Sequence, residues 1–292
     1  MPTADEFRFR TIYILESLPA DERPTGQDLK EELARLSADQ SWFPTVKLLP
    51  SYDRATFEAH LRAIAGETKA RDSGPLLQIE THGAQDQTGL RLASGEVITW
   101  PELKPFLQEV NVPTGMNLLV LMSSCYGSWL FGAIDAGDRA PFWAMIGPDR
   151  QLSPEVLLAS WTEFYRVLFA ASDGAVAWRA MNELERPKPV TFAFFSAIAA
   201  FQLVLYGYFK QYGNPRGMER RVARLAMQWH LFGPPIPPPP FAKWMGAHQW
   251  QFAKYWRQFF LIDLYPANAS RFSLSYEACR AHPGPLGRIG AV

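Results

Sequence analysis

The chain is poor in cysteine, with only Cys125 and Cys279 in 292 residues. Two thiols are too few for a disulfide framework and point to a reducing compartment. An excess of charge of either sign is also missing. Lys+Arg 29 balance Asp+Glu 29, and without a basic block there is no electrostatic footprint for a phosphate backbone, so nucleic acid is not an expected partner. The two cysteines and five scattered histidines show no ligand spacing, which argues against a metal centre. No glycine-rich loop opens a predicted helix, so nucleotide chemistry has no support. No cofactor is expected. The stretch Met1-Pro-Thr-Ala-Asp-Glu-Phe-Arg lacks the basic start and apolar core of a signal peptide, and the expected location is cytoplasmic. Long apolar runs are scarce as well. Phe192 to Phe209 approaches the length of a membrane span, but Ser196, Gln202 and Gly207 interrupt it. Val190 to Ser196 reads better as a strand running into a helix, and a span is not expected.

What is present is an ordinary globular composition. Hydrophobic residues at 48% and charged residues at 20% are enough for one substantial core, with or without an appended subdomain. The most informative stretch is Asn117-Leu-Leu-Val-Leu-Met-Ser-Ser-Cys-Tyr-Gly127. Leu118 to Met122 is too short for a helix and does not alternate, the pattern of a strand buried on both faces of a parallel sheet. Cys125 then stands at the carboxyl end of that strand, the edge where open α/β sheets bind ligands. Pro75-Leu-Leu-Gln-Ile-Glu-Thr-His-Gly83 has the same form and ends in His82-Gly83. If the two strands are neighbours, an imidazole and a thiol face one another.

The other elements alternate. Phe7–Ser17 reads as a first strand. Leu29, Leu33 and Leu36 define an amphipathic helix, Phe43–Leu49 a second strand, and Phe57, Leu61 and Ile64 a second helix. Residues 88–100 read as a β-hairpin turning at Ala93-Ser94-Gly95, and Pro101 opens a helix with Thr99 as N-cap. Phe142–Gly147 and Val190–Ser196 are further strands, and 154–171, 175–184 and 197–212 are helices. Strands alternating with helices of this length predict a mainly parallel sheet with right-handed crossovers. Beyond residue 212 the character changes to an arginine-rich helix at 214–229, a proline strap at 234–240 and an aromatic helix at 244–264, whose Trp250, Phe252, Tyr255, Trp256 and Phe259 are expected to pack on the core.

Nucleophilic attack needs a thiolate, and a histidine across a crevice is the usual means of producing one. A glycine beside that histidine leaves its backbone N–H unobstructed for a developing oxyanion. His82 and Cys125 stand 43 positions apart, near the roughly 50-residue His-to-Cys spacing of caspases. His60 falls on a predicted helix and His230, His248 and His282 fall in the tail, so His82 is the candidate base.

With strand, helix, strand, helix, strand-His-Gly, hairpin, helix and strand-Ser-Ser-Cys-x-Gly in this order, residues 7–212 resemble the caspase-like (clan CD) cysteine peptidases, including bacterial CHAT-type proteases. The resemblance implies a three-layer α/β sandwich with a mainly parallel sheet of about six strands over 1–212, and a helical, Pro- and aromatic-rich extension over 213–292. It implies an endopeptidase in which His82 is the base and Cys125 the nucleophile, with the N–H groups of Gly83 and Cys125 as oxyanion hole. The chain departs from the Gln-Ala-Cys-x-Gly of caspases, and Ser123 stands where metacaspases carry an acid. The segment 127–141 is too short for a cleavable activation linker. In the resembled family the end of the first strand helps build the pocket for the side chain preceding the cut. Glu16 there and Asp86 after His82 are the candidates for selecting Arg or Lys. The implied partners are a protein or peptide substrate and a regulatory protein. The competing expectation is a catalytically silent caspase fold serving as an interaction module.

Overall fold

The structure is a computed structural model that describes residues 9–38, 43–71, 74–184, 191–229 and 240–281. The expected proline strap lies outside the described residues apart from Pro240. Among the described residues the first compact unit spans 9–134 and 140–197. Its strands β1 (Phe9–Ser17), β2 (Thr45–Pro50), β3 (Gly74–Gly83), β6 (Leu119–Ser123), β7 (Ala144–Pro148) and β8 (Phe192–Ser196) run in the order β2-β1-β3-β6-β7-β8. All pairings are parallel except β7 with β8, which is antiparallel. The hairpin of β4 (Gly89–Arg91) and β5 (Val97–Thr99) hangs on the end of β3.

Helices cover both faces. On one lie α1 (Thr25–Ser37), α4 (Pro154–Ala171) and α5 (Gly174–Glu183), and α2 (Arg54–Arg71) and α3 (Trp100–Asn111) occur on the crossovers of β2 to β3 and β5 to β6. Burial on two faces is why the central runs show no alternation, and every residue of β6 is buried. Ile12 and Ile14 of β1, Leu76 of β3 and Leu119 and Leu121 of β6 meet Leu29 and Leu33 of α1 and Trp161 and Phe164 of α4 in one core. Each such fully buried side chain contributes about 1.5–3 kcal/mol relative to exposure. On the opposite face Tyr13 donates to Glu67 of α2 at 3.0 Å.

Local signals explain the boundaries. Thr99 precedes α3, and its backbone N–H and hydroxyl both donate to Glu102 at 2.9 and 2.7 Å. Ser153 caps α4 by accepting from the Val156 N–H, and Pro154 stands where a missing N–H costs nothing. A 3₁₀ turn over Gly127–Ala133 was not expected, since its small and aromatic residues carry no helical period.

Among the described residues the second unit comprises 135–139 and 198–281, and it opens within α6 (Ala197–Tyr212). Phe201 of α6 packs on Phe252 and Phe259 of α8 (Phe241–Phe259), with ring centroids 6.0 and 5.0 Å away. His248, Phe252 and Phe259 are buried at i, i+4 and i+11, one helical stripe. Trp250 lies off that stripe and is 70% exposed, contrary to the expectation that it packs on the core. Among the described residues no helix is long and apolar enough to cross a membrane.

Candidate active site

The two candidate side chains lie at the carboxyl ends of paired strands. β3 and β6 pair from Leu76↔Leu119 to Glu80↔Ser123 at a constant offset of 43 positions, and His82, within β3, and Cys125, in the turn after β6, follow that last pair by two residues. Neighbouring strands lie about 4.8 Å apart. Gly83 gives an independent measure of this proximity. A Cβ built there would stand 2.9 Å from the Cys125 carbonyl carbon and closer still to its oxygen. Any side chain at 83 would therefore displace the cysteine's backbone. Glycine at this position is a requirement of close approach between the two strand ends.

Cys125 itself leaves the sheet on a tight turn. The Gly127 N–H returns to the Ser124 carbonyl at 3.0 Å, and Tyr126 takes a left-handed conformation with φ 59. A tyrosine there costs about 1 kcal/mol or more, a strain of the kind that collects at functional turns. The Tyr126 N–H donates to the Arg150 carbonyl at 3.2 Å. Gly127 is needed because its Cβ would meet Met122 Cβ at 2.6 Å, which accounts for the glycine of Cys-x-Gly. The half-buried Cys125 thiol lies 3.7 Å from the Leu152 carbonyl, ahead of α4.

A residue that sequence reasoning missed completes the imidazole's surroundings. Glu22, on the connection between β1 and α1, lies 2.6 Å from His82 Nε2, and the two side chains are 41% and 28% exposed. A carboxylate accepts only, so Nε2 carries the hydrogen in this contact. In the neutral ring the Nδ1 lone pair is then free to take a proton. Sixty positions separate the two residues, and no local pattern signals such a contact.

The two acids expected at the specificity pocket are engaged elsewhere. Glu16 Oε2 accepts from the N–H groups of Gly26 and Gln27 at 2.7 and 3.1 Å, at the start of α1. Burial raises its pKa, and those two bonds oppose the rise. Asp86 is exposed and accepts from the Thr88 hydroxyl and N–H at 2.7 and 3.1 Å, which holds its pKa below the usual range. Of the other described histidines, His60 Nδ1 is 2.9 Å from the Ser51 hydroxyl and His248 Nε2 is 2.6 Å from the Tyr208 hydroxyl. Cys279 is fully buried in the second unit, and burial pushes its thiol up to about 12.

Beneath the pair lies a further group without a sequence signature. Glu80 is 2% exposed, accepts from the Thr25 hydroxyl at 2.7 Å and from Gln78 Nε2 at 2.8 Å, and stands in register with Glu16 on one side and Ser123 on the other. Burial pushes its carboxyl up to about 7 against the pull of those hydrogen bonds.

No family model and no curated protein matches the chain. Among solved structures it is similar to a secreted C11 cysteine protease from Bacteroides thetaiotaomicron in complex with an irreversible peptide inhibitor, with 10% identity, 70% of each chain covered and a TM-score of 0.46. It is similar too to the structure of a secreted C11 cysteine protease of that organism titled iotapain, with 11% identity, 73% of this chain and 74% of that one covered, and a TM-score of 0.44. At such identity and TM-score the likeness assigns no role to any residue of this chain.

Proposed function

We propose that the chain is a cysteine endopeptidase of the caspase-like type, working with His82 and Cys125 and without a cofactor. The observation that supports this reading is the close approach of the two strand ends, where Gly83 beside His82 abuts the Cys125 backbone, two to three positions past the last register pair, Glu80↔Ser123. Nδ1 of His82 accepts the Cys125 proton, and the thiolate attacks the carbonyl carbon of a peptide bond. The backbone N–H groups of Gly83 and Cys125 are the candidates to receive the oxyanion. As the tetrahedral species collapses the C–N bond breaks, and the imidazolium gives its proton to the leaving amine. Water, deprotonated by the same imidazole, then opens the thioester and frees the sulfur. Glu22 accepts from Nε2 throughout, which holds the ring's orientation.

Glu16 and Asp86 are both engaged by local donors, so a basic side chain next to either would compete with those bonds. The reading therefore carries no preference for Arg or Lys before the cut. It is tested with Cys125→Ala. Cleavage of a fluorogenic peptide library is expected to vanish while the unfolding transition stays in place, and undiminished cleavage by this variant would overturn the proposal.

A further inference from the structure

Glu16 and Glu80 are register partners on adjacent parallel strands, so their side chains leave the same face of the sheet. Both reach the first turn of α1. Glu80 holds the Thr25 hydroxyl, and Glu16 holds the N–H groups of Gly26 and Gln27. The segment just before that turn carries Glu22, which contacts His82. One buried acid and one half-buried acid thus anchor the start of a helix, and the same chain presents a carboxylate to the candidate base.

We propose that Glu80 and Glu16 form a proton-controlled anchor for the Glu22 segment, closed while the pair retains a proton and loosened when both carboxyls are charged. This makes Glu80 a positioning residue for the peptidase reaction proposed above, on which its functional consequence rests. Two like charges in register on adjacent strands repel, and burial penalises each of them. The hydrogen bonds from Thr25 and Gln78 to Glu80 and from Gly26 and Gln27 to Glu16 oppose that penalty, and burial outweighs them. Glu80 meets Glu16 from β1, Thr25 from α1, Gln78 of its own strand and Ser123 of β6, and Tyr165 of α4 donates to Gln78. His82 lies two residues further along the same face. Glu16 meets Asp28 of α1, whose own partner is Arg23 at 2.6 Å. Once both carboxyls are charged, their repulsion is relieved by displacing the element that both of them hold, the first turn of α1. Displacing that turn draws Glu22 away from the imidazole. Burial holds the Glu80 proton up to about 7, so the change falls near neutrality.

The test is Glu80→Gln, an amide of the same shape that cannot ionise. Peptide kcat/KM of the unaltered protein is expected to fall about tenfold per pH unit above neutrality, whereas the variant keeps its rate through that range. The Glu22 contact is followed in parallel by the ¹⁵N shifts of the His82 ring, which require no turnover. They are expected to report loss of the contact above neutrality in the unaltered protein and its retention in the variant. Glu16→Gln, which removes the neighbouring charge and with it the repulsion, is expected to abolish the alkaline limb, and it serves if Glu80→Gln does not fold. Identical pH profiles in variant and parent, with normal cleavage, would overturn the anchor and leave the peptidase reading intact. Absence of cleavage at every pH, with the His82 shifts still differing between parent and variant, would sink the peptidase reading and support the anchor.

Discussion

The same three strands present two different chemistries on their two faces as they approach the carboxyl edge. On the face covered by α1 and α4 the register rows climb from Ile12–Leu76–Leu119 through Ile14–Gln78–Leu121 to Glu16–Glu80–Ser123, and end at His82 and Cys125. On the other face they climb from Tyr13–Leu77–Val120 through Leu15–Ile79–Met122 to Ser17–Thr81, with Ser124 following Ser123 on β6. One face finishes in groups that exchange protons, the other in hydroxyls. Both edges are polar rows, and the first is the more densely hydrogen-bonded, through Glu16 and Glu80. Thr81 Oγ1 and Ser124 Oγ on the second face, and Ser123 Oγ on the first, have no hydrogen-bond partner among the described residues. Acids and an imidazole can be poised by their neighbours, whereas an aliphatic hydroxyl stays neutral across the working range of pH.

The largest effect is expected where the two strand ends touch. Gly83→Ala puts a methyl group against the Cys125 carbonyl, and displacing the thiol by about an ångström should lower kcat/KM roughly a hundredfold. Peptide cleavage and chemical denaturation measured together would show whether activity falls further than stability. Next comes Glu22→Ala, which removes the acceptor from Nε2. A loss of about tenfold or more in kcat, with KM little changed, is expected if orientation of the ring is its role. Equal kinetics would reduce that contact to a surface pair.

Glu80→Gln separates the faces by pH. Its folded-state carboxyl is raised from 4.5 to about 7, so between those values the native protein binds a proton that the unfolded chain has lost. Stability from this group is therefore present below about 4.5 and lost as pH rises to about 7, by at most on the order of 3 kcal/mol. The glutamine variant should lack this slope in thermal unfolding between pH 5 and 7.5. The hydroxyl face should respond oppositely. Thr81→Val removes a buried, unpartnered hydroxyl, and stability should rise by about 1 kcal/mol with no dependence on pH. Denaturant titrations at two pH values would check this, and a loss of stability would mean that the hydroxyl is satisfied.

Much of this edge was legible in the sequence because it is built from local patterns. The apolar runs ending in His82-Gly83 and Ser123-Ser124-Cys125 are buried on both faces, so they read as strands, and Pro154 behind Ser153 marked the start of α4 to the residue. The spacing of His82 and Cys125 equals the register offset of β3 and β6, although that equality is visible only once the strands are paired. Glu22 and Glu80 were not legible. Glu22 stands on a polar connection among Asp21 and Arg23, where a functional acid looks like any solvated one. Glu80 resembles the polar half of an edge strand until the sheet buries it on both sides. Glu16 drew attention by its place at the end of β1, but the helix amides that engage it lie ten and eleven positions away. The exposure of Trp250 follows from its angle on α8, which becomes fixed only when the buried stripe of His248, Phe252 and Phe259 is known.

The two cysteines allow the central claim to be measured within one molecule, because Cys279 is sealed and its thiol is pushed up to about 12. Alkylation by iodoacetamide near neutral pH, followed at each cysteine by mass spectrometry, should label Cys125 and leave Cys279 untouched in the folded protein. Replacing His82 with Ala should slow labelling of Cys125 by about tenfold or more. An unchanged rate at Cys125 in that variant would contradict the pairing of imidazole and sulfur.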